Sequence, residues 1–130
     1  MRSITDYSRL GALMLSAFFL SGCASQIYSE SGTVSTVILI RHADRNVGQS
    51  DLNDKGKSRA IALVGALSHI EIDAIYSPDK KRNIDTVLPL SKTRNVKISV
   101  IETSGVASRI VKENSGKTSL WVGNTSNLDH

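Results

Sequence analysis

The sequence holds 130 residues, of which 40% are hydrophobic and 22% charged, with a formal net charge of +4 and a pI near 9.4. That length admits one small domain, and the balance of apolar and charged residues excludes wholesale disorder. The basic residues are scattered apart from Lys80-Lys81-Arg82, and no aromatic residues interleave with them, so no nucleic acid partner is expected and a local anion pocket is.

The first element is an apolar run from Leu10 to Leu20, with Arg2 and Arg9 ahead of it. It is shorter than the ~20 residues a spanning helix needs, but long enough for a signal-peptide core. Leu20-Ser21-Gly22-Cys23 follows and resembles a bacterial lipobox, in which the cysteine carries the lipid. The competing reading is an incidental free thiol, which would leave one reactive cysteine in an exported protein. Residues 1–22 are therefore read as a lipoprotein signal peptide and Cys23 as the lipidation site. The resemblance implies a membrane anchor of several acyl chains in the bacterial cell envelope. Because Ala24 follows the cysteine, it also implies the outer membrane facing the periplasm in a Gram-negative host. Residues 23–35 are polar and Ser/Gly-rich and read as a flexible tether.

The domain proper is placed at residues 36–130. Thr36–Ile40 is a continuous apolar run that predicts a strand covered on both faces of a parallel sheet. Asn53-Asp54 predicts a capped helix with Ala60, Leu63, Val64 and Leu67 on one face. A strand follows over Ile72–Tyr76, then a helix from about Asp79 with Ile84, Val87 and Leu88 inward, which Pro89 ends or kinks. Lys97–Ile101 predicts the third strand, Val106–Lys112 a short helix closed near Gly116, and Thr118–Val122 the fourth strand, with Trp121 packed on a helix. This alternation predicts βαβ units in a three-layer α/β/α sandwich with a mainly parallel sheet, its chemistry at the carboxyl ends of the strands.

Three segments fall at such ends: Arg41-His42, Ser77 to Arg82, and Gly123-Asn124. Four blocks in order carry a family resemblance: Val37 to Arg45, with Arg41-His42-Ala43-Asp44 at its centre; Leu52-Asn53-Asp54-Lys55-Gly56 with Arg59-Ala60; Ile75-Tyr76-Ser77 with Arg82 and Thr86; and Gly116-Lys117-Thr118 leading to Leu120-Trp121-Val122-Gly123. Together they resemble the histidine phosphatase, or phosphoglycerate mutase-like, superfamily.

The resemblance implies that His42 is the nucleophile that accepts a phosphoryl group, with Arg41 and Arg82 neutralising its charge. Arg45 adds a third positive charge or serves only the surface, and Ser77 donates at the pocket rim or is a turn residue. Asp44 and Glu102 are the candidate general acids. No HxH or HExxH spacing occurs, so a metal site is not expected, and no metal or organic cofactor is required. Without the resemblance, His42 alone would read as a structural histidine.

Two departures bear on activity. Asn124 stands where the family has its second pocket histidine; an amide carries no charge there, and losing one electrostatic contact costs on the order of 10²–10³ in rate. The family also continues into a further helix, so the expectation is a truncated domain, with that C-terminal helix missing and one face of the fourth strand exposed. The leading reading is an envelope-anchored phosphatase acting on a phosphorylated small molecule or phosphopeptide. The alternatives are a pseudophosphatase that binds phosphate with little turnover and a structural lipoprotein with a vestigial pocket.

Overall fold

The strand–helix alternation is realised as four parallel strands and three helices in a computed structural model that describes residues 31–127. In chain order these are β1 (Thr36–Arg41), α1 (Asp54–Ala66), β2 (Ala74–Ser77), α2 (Lys81–Arg94), β3 (Ile98–Val100), α3 (Val106–Glu113) and β4 (Thr118–Gly123), with a 3-10 turn at Thr125–Asn127. The sheet order is β1-β4-β2-β3, every pair parallel.

Alternation along the strands divides the core between the two sheet faces. Ile75, Leu120 and Val122 pack with Leu67, Val87 and Leu90 beneath α1 and α2. Tyr76 and Trp121 point the other way and pack with Ile101 and Ile110, the latter on α3. The three-layer sandwich follows, and Trp121 is the largest fully buried side chain.

Several sequence expectations are corrected. β1 is an edge strand rather than one covered on both faces, and Leu39 is 57% exposed. Ile38 and Ile40 reach the core under α1 and α2, whereas the eight-residue α3 packs on the central strands and leaves Leu39 uncovered. β4 lies between β1 and β2 and is buried from Ser119 to Gly123, so the open face belongs to β1 and not to the fourth strand.

The second helix starts within two residues of the expected Asp79 but does not end at Pro89; it runs from Lys81 to Arg94. A proline inside a helix costs ~3 kcal/mol. Val87 and Leu90, both fully buried on either side of Pro89, supply packing that offsets this. Asn95, in the left-handed region at φ 55°, closes the helix, and Arg94 donates to the Leu67 and Ser68 carbonyls at the end of α1.

The apolar run Leu10–Leu20 and Cys23 lie outside the described residues. Of the segment read as a tether, Thr33 bonds to Ser115 and Ser35 accepts from the Gly116 amide, which ties it to the α3–β4 turn. Among the described residues no helix is long and apolar enough to cross a membrane.

One close approach fixes the loop that follows β1. The Asn53 side chain caps α1 by accepting from the Gly56 amide at 2.9 Å, while the Asn53 amide donates to the Asp44 carbonyl at 3.0 Å. Gly56 faces that same carbonyl, and a Cβ there would overlap the oxygen. Ala43, Leu52 and Ala60 form a small buried cluster behind it. Gly56→Ala is therefore expected to cost about 1–3 kcal/mol, measured by chemical denaturation, by forcing the loop off the first turn of α1.

Candidate active site

The chain runs from β1 across to β2 and β3 and then returns to insert β4 between β1 and β2. The carboxyl ends of β1, β4 and β2 therefore lie side by side, at the reversal of strand order where open parallel sheets form a crevice. His42 directly follows β1, Asn124 directly follows β4, and the turn after β2 opens α2, which carries Arg82 in its first turn. A cleft of about 320 Å³ lies over the β1 end of this edge, lined by Arg41, His42, Ala43, Asp44, Arg45, Val47 and Arg59; neither Arg82 nor Asn124 lines it.

His42 is held at two points. Its amide donates to the Gly123 carbonyl at 3.1 Å, continuing the β1–β4 ladder by one residue. Its ring Nδ1 lies 2.8 Å from the Ala43 carbonyl oxygen. A carbonyl can only accept, so Nδ1 carries the proton and Nε2 keeps the lone pair of the neutral ring. The residue is 9% exposed. Burial pushes its pKa below the usual 6.5, the Ala43 bond opposes this, and the charges of Arg82, Arg41 and Arg45 push it down further. The sign is that of a base kept neutral: the protonated form appears only as pH falls through the lowered value. For a reaction that needs neutral His42, the acid limb of kcat/KM is expected below pH 6.5, read from a pH–rate profile.

The arginines near His42 differ from the bases that surround Asp44, Asp51 and Glu113. Among the described residues, Arg41, Arg45 and Arg82 form no ion pair, whereas Arg59 and Lys55 hold Asp44, Lys81 bridges Asp51 and Asp85, and Arg109 holds Glu113. Positive charge around His42 is therefore not neutralised by carboxylates, as an anion site requires. Arg82 Nη2 donates to Asn124 Oδ1 at 3.1 Å, which joins two sequence candidates from different elements. Its Nε is buried with no partner among the described residues. Arg45 lines the cleft, but its Nη1 donates to the carbonyls of Asn46 and Gln49, so part of its fork serves to tie the 45–49 turn.

The other candidates are placed differently. Ser77 is fully buried, its hydroxyl donates to the Pro78 carbonyl at 2.8 Å, and it does not line the cleft; this is the turn-residue geometry. Asp44 lines the cleft, but the hydrogen bond from Arg59 at 2.7 Å holds its carboxyl below the usual range, which keeps it ionised and unsuited to donating a proton near neutrality. Glu102 is exposed beyond β3 at the far side of the sheet and does not line the cleft.

Two supporting residues carry no role in the sequence reading. Asn83, fully buried, donates to the Val122 carbonyl and pins α2 to the end of β4. Thr86 accepts from the Ala43 amide at 2.9 Å. Its place four residues after Arg82 in a helix was visible in sequence; the strand end it would meet was not.

Comparison with known proteins gives a family and a fold. Residues 37–120 match the family described as the histidine phosphatase superfamily (branch 1), a span that contains His42 and Arg82 and ends before Asn124. SixA of Agrobacterium tumefaciens, provisionally named a phosphohistidine phosphatase, superposes with a TM-score of 0.58 at 22% identity, over 71% of this chain and 70% of its own. YhfR of Bacillus stearothermophilus does so with a TM-score of 0.64 at 19% identity, over 73% of this chain and 76% of its own. At these identities the likeness is one of fold. Comparison with curated protein sequences finds no match.

Proposed function

The chain belongs to the histidine phosphatase superfamily, and from that membership we propose that it is a phosphatase that hydrolyses phosphomonoesters through a phosphohistidine on His42. The observation that carries the reading is the bond from Nδ1 to the Ala43 carbonyl, which leaves the lone pair on Nε2 of a ring that feels the charges of Arg82, Arg41 and Arg45, none of them paired with a carboxylate among the described residues. Nε2 forms a bond to phosphorus as the bond to the ester oxygen breaks, and the departing oxygen takes a proton from water in the open cleft. A water molecule then attacks the phosphoryl group and gives a proton to the hydroxide left by the first step, the nitrogen–phosphorus bond breaks, and the lone pair returns to Nε2. Arg41 and Arg82 spread the charge on the equatorial oxygens throughout. The likeness to SixA adds phosphohistidine-bearing proteins to the phosphorylated small molecules and phosphopeptides worth testing as substrates. Release of inorganic phosphate from p-nitrophenyl phosphate, suppressed by orthovanadate, is the expected result; no release above buffer between about pH 5 and 8 would overturn the reading.

A second reading is a pseudophosphatase that binds phosphorylated ligands with little turnover. Asn124 supports it, since the Arg82 contact is made to a neutral amide. If native protein binds phosphate without turnover and Asn124→His gains activity on the order of 10²-fold, the second reading holds; strong native turnover rules it out.

We further propose that Cys23 is lipidated and anchors the domain to the envelope membrane. Cys23→Ser is expected to move the protein from the membrane fraction to the soluble fraction; an unchanged distribution would sink this.

A further inference from the structure

Taking His42 as the nucleophile of the proposed reaction, we propose that Thr86 is a positioning residue: its hydroxyl holds the Ala43 backbone at its amide, and the carbonyl of that residue in turn holds the His42 ring, in register with the helix that presents Arg82. The links form one chain. Thr86 Oγ1 donates to the Arg82 carbonyl at 2.7 Å, the back-bond expected of a threonine inside a helix. That donation turns an oxygen lone pair toward β1, where it accepts the Ala43 amide at 2.9 Å. The carbonyl of the same residue accepts Nδ1–H of His42 at 2.8 Å. Thr86 is 4% exposed and Ala43 3%, so both partners of this bond are largely withdrawn from bulk water.

One hydroxyl thus spans the two elements that must cooperate, the end of β1 with its nucleophile and the first turns of α2 with its arginine. Their alignment otherwise rests on β4, which pairs with β1 and packs under α2, and on the apolar packing of Ile38 and Ile40 against the core beneath α2. An isosteric valine would leave the Ala43 amide buried and unpaired and free that residue's backbone to rotate. The ring would then lose its fixed tautomer and its aim, while Arg41, Arg45 and Arg82 would still bind the phosphate.

Thr86→Val is expected to lower kcat on the order of 10–100-fold with KM within about twofold, and Thr86→Ser, which keeps the hydroxyl, to recover most of the rate. A pH profile adds a readout that loosened packing would not move. The Ala43 bond raises the His42 pKa against burial and against the charges of Arg82, Arg41 and Arg45, so weakening it moves the acid limb to lower pH. Asp44 and Arg59 also line the cleft, but they are paired with each other and unchanged by the substitution. Wild-type kcat in Thr86→Val, equal loss in Thr86→Val and Thr86→Ser, or a rise in KM matching the fall in kcat would each overturn the proposal. Nitrogen NMR of the His42 ring needs neither turnover nor a stable valine variant. The proton is expected on Nδ1 in the wild type, and a dominant Nε2–H tautomer would also overturn it. If the wild type turns nothing over, the phosphatase reading fails, while loss of the Nδ1–H tautomer in Thr86→Val but not in Thr86→Ser, or the absence of that loss, still decides on Thr86.

Discussion

His42→Ala is expected to abolish phosphatase turnover, with a loss in kcat of at least ~10³-fold and a melting temperature close to that of the wild type. The size follows from chemistry: removing the attacking nitrogen removes the covalent route, leaving only the electrostatic help of the pocket, and nucleophile deletions in enzymes cost up to about 10⁶. The stability follows from structure. What holds this segment in place is the His42 amide on the Gly123 carbonyl and the Ala43 amide on Thr86, neither of which uses the imidazole. Phosphate binding should survive, because Arg41 and Arg82 remain. A variant that keeps more than a tenth of native kcat would show that His42 is not the nucleophile.

The second large effect is expected at Arg82. Arg82→Ala should lower kcat/KM on the order of 10²–10³-fold, and Arg82→Lys should recover little of it. A lysine keeps the charge but not the planar fork that donates to Asn124 while presenting further N–H groups to a phosphate. Arg41→Ala should cost less, because Arg41 is exposed at the end of the edge strand and Arg82 is half-buried in the first turn of α2. Kinetics of the three variants on one phosphomonoester give the order directly; an Arg41→Ala defect larger than that of Arg82→Ala would contradict it.

Much of this arrangement was legible in the residues. The period of α1, its Asn53 cap and the runs that become β1 and β4 depend on local patterns, and they fall within a residue or two of the expected bounds. The order of strands is not a local property. Thr36–Ile40 is as apolar as a central strand, yet the chain inserts β4 between β1 and β2 and leaves β1 at the edge with Leu39 exposed. Pro89 misled for a related reason: its cost is local, whereas the burial of Val87 and Leu90 that offsets it comes from the whole sandwich.

The site shows the same division. His42 and Arg82 were readable as residue types at strand ends, and Asn124 as the departure it is. That Arg82 would touch Asn124, that Thr86 would take the Ala43 amide, and that Asp44 would be held ionised by Arg59 depend on which elements lie side by side. Ser77 shows the limit in the other direction, since its position at a strand end fits a pocket rim while its hydroxyl is turned into the backbone of its own turn.

Covalent trapping tests the central claim most directly. Wild-type protein mixed briefly with a radiolabelled phosphomonoester and quenched in base should retain label that is lost on mild acid treatment, the behaviour of a phosphorus–nitrogen bond, and peptide mapping should place it on His42. His42→Ala should retain none, and Arg82→Ala should acquire it more slowly. Equal labelling of wild type and His42→Ala would contradict the account.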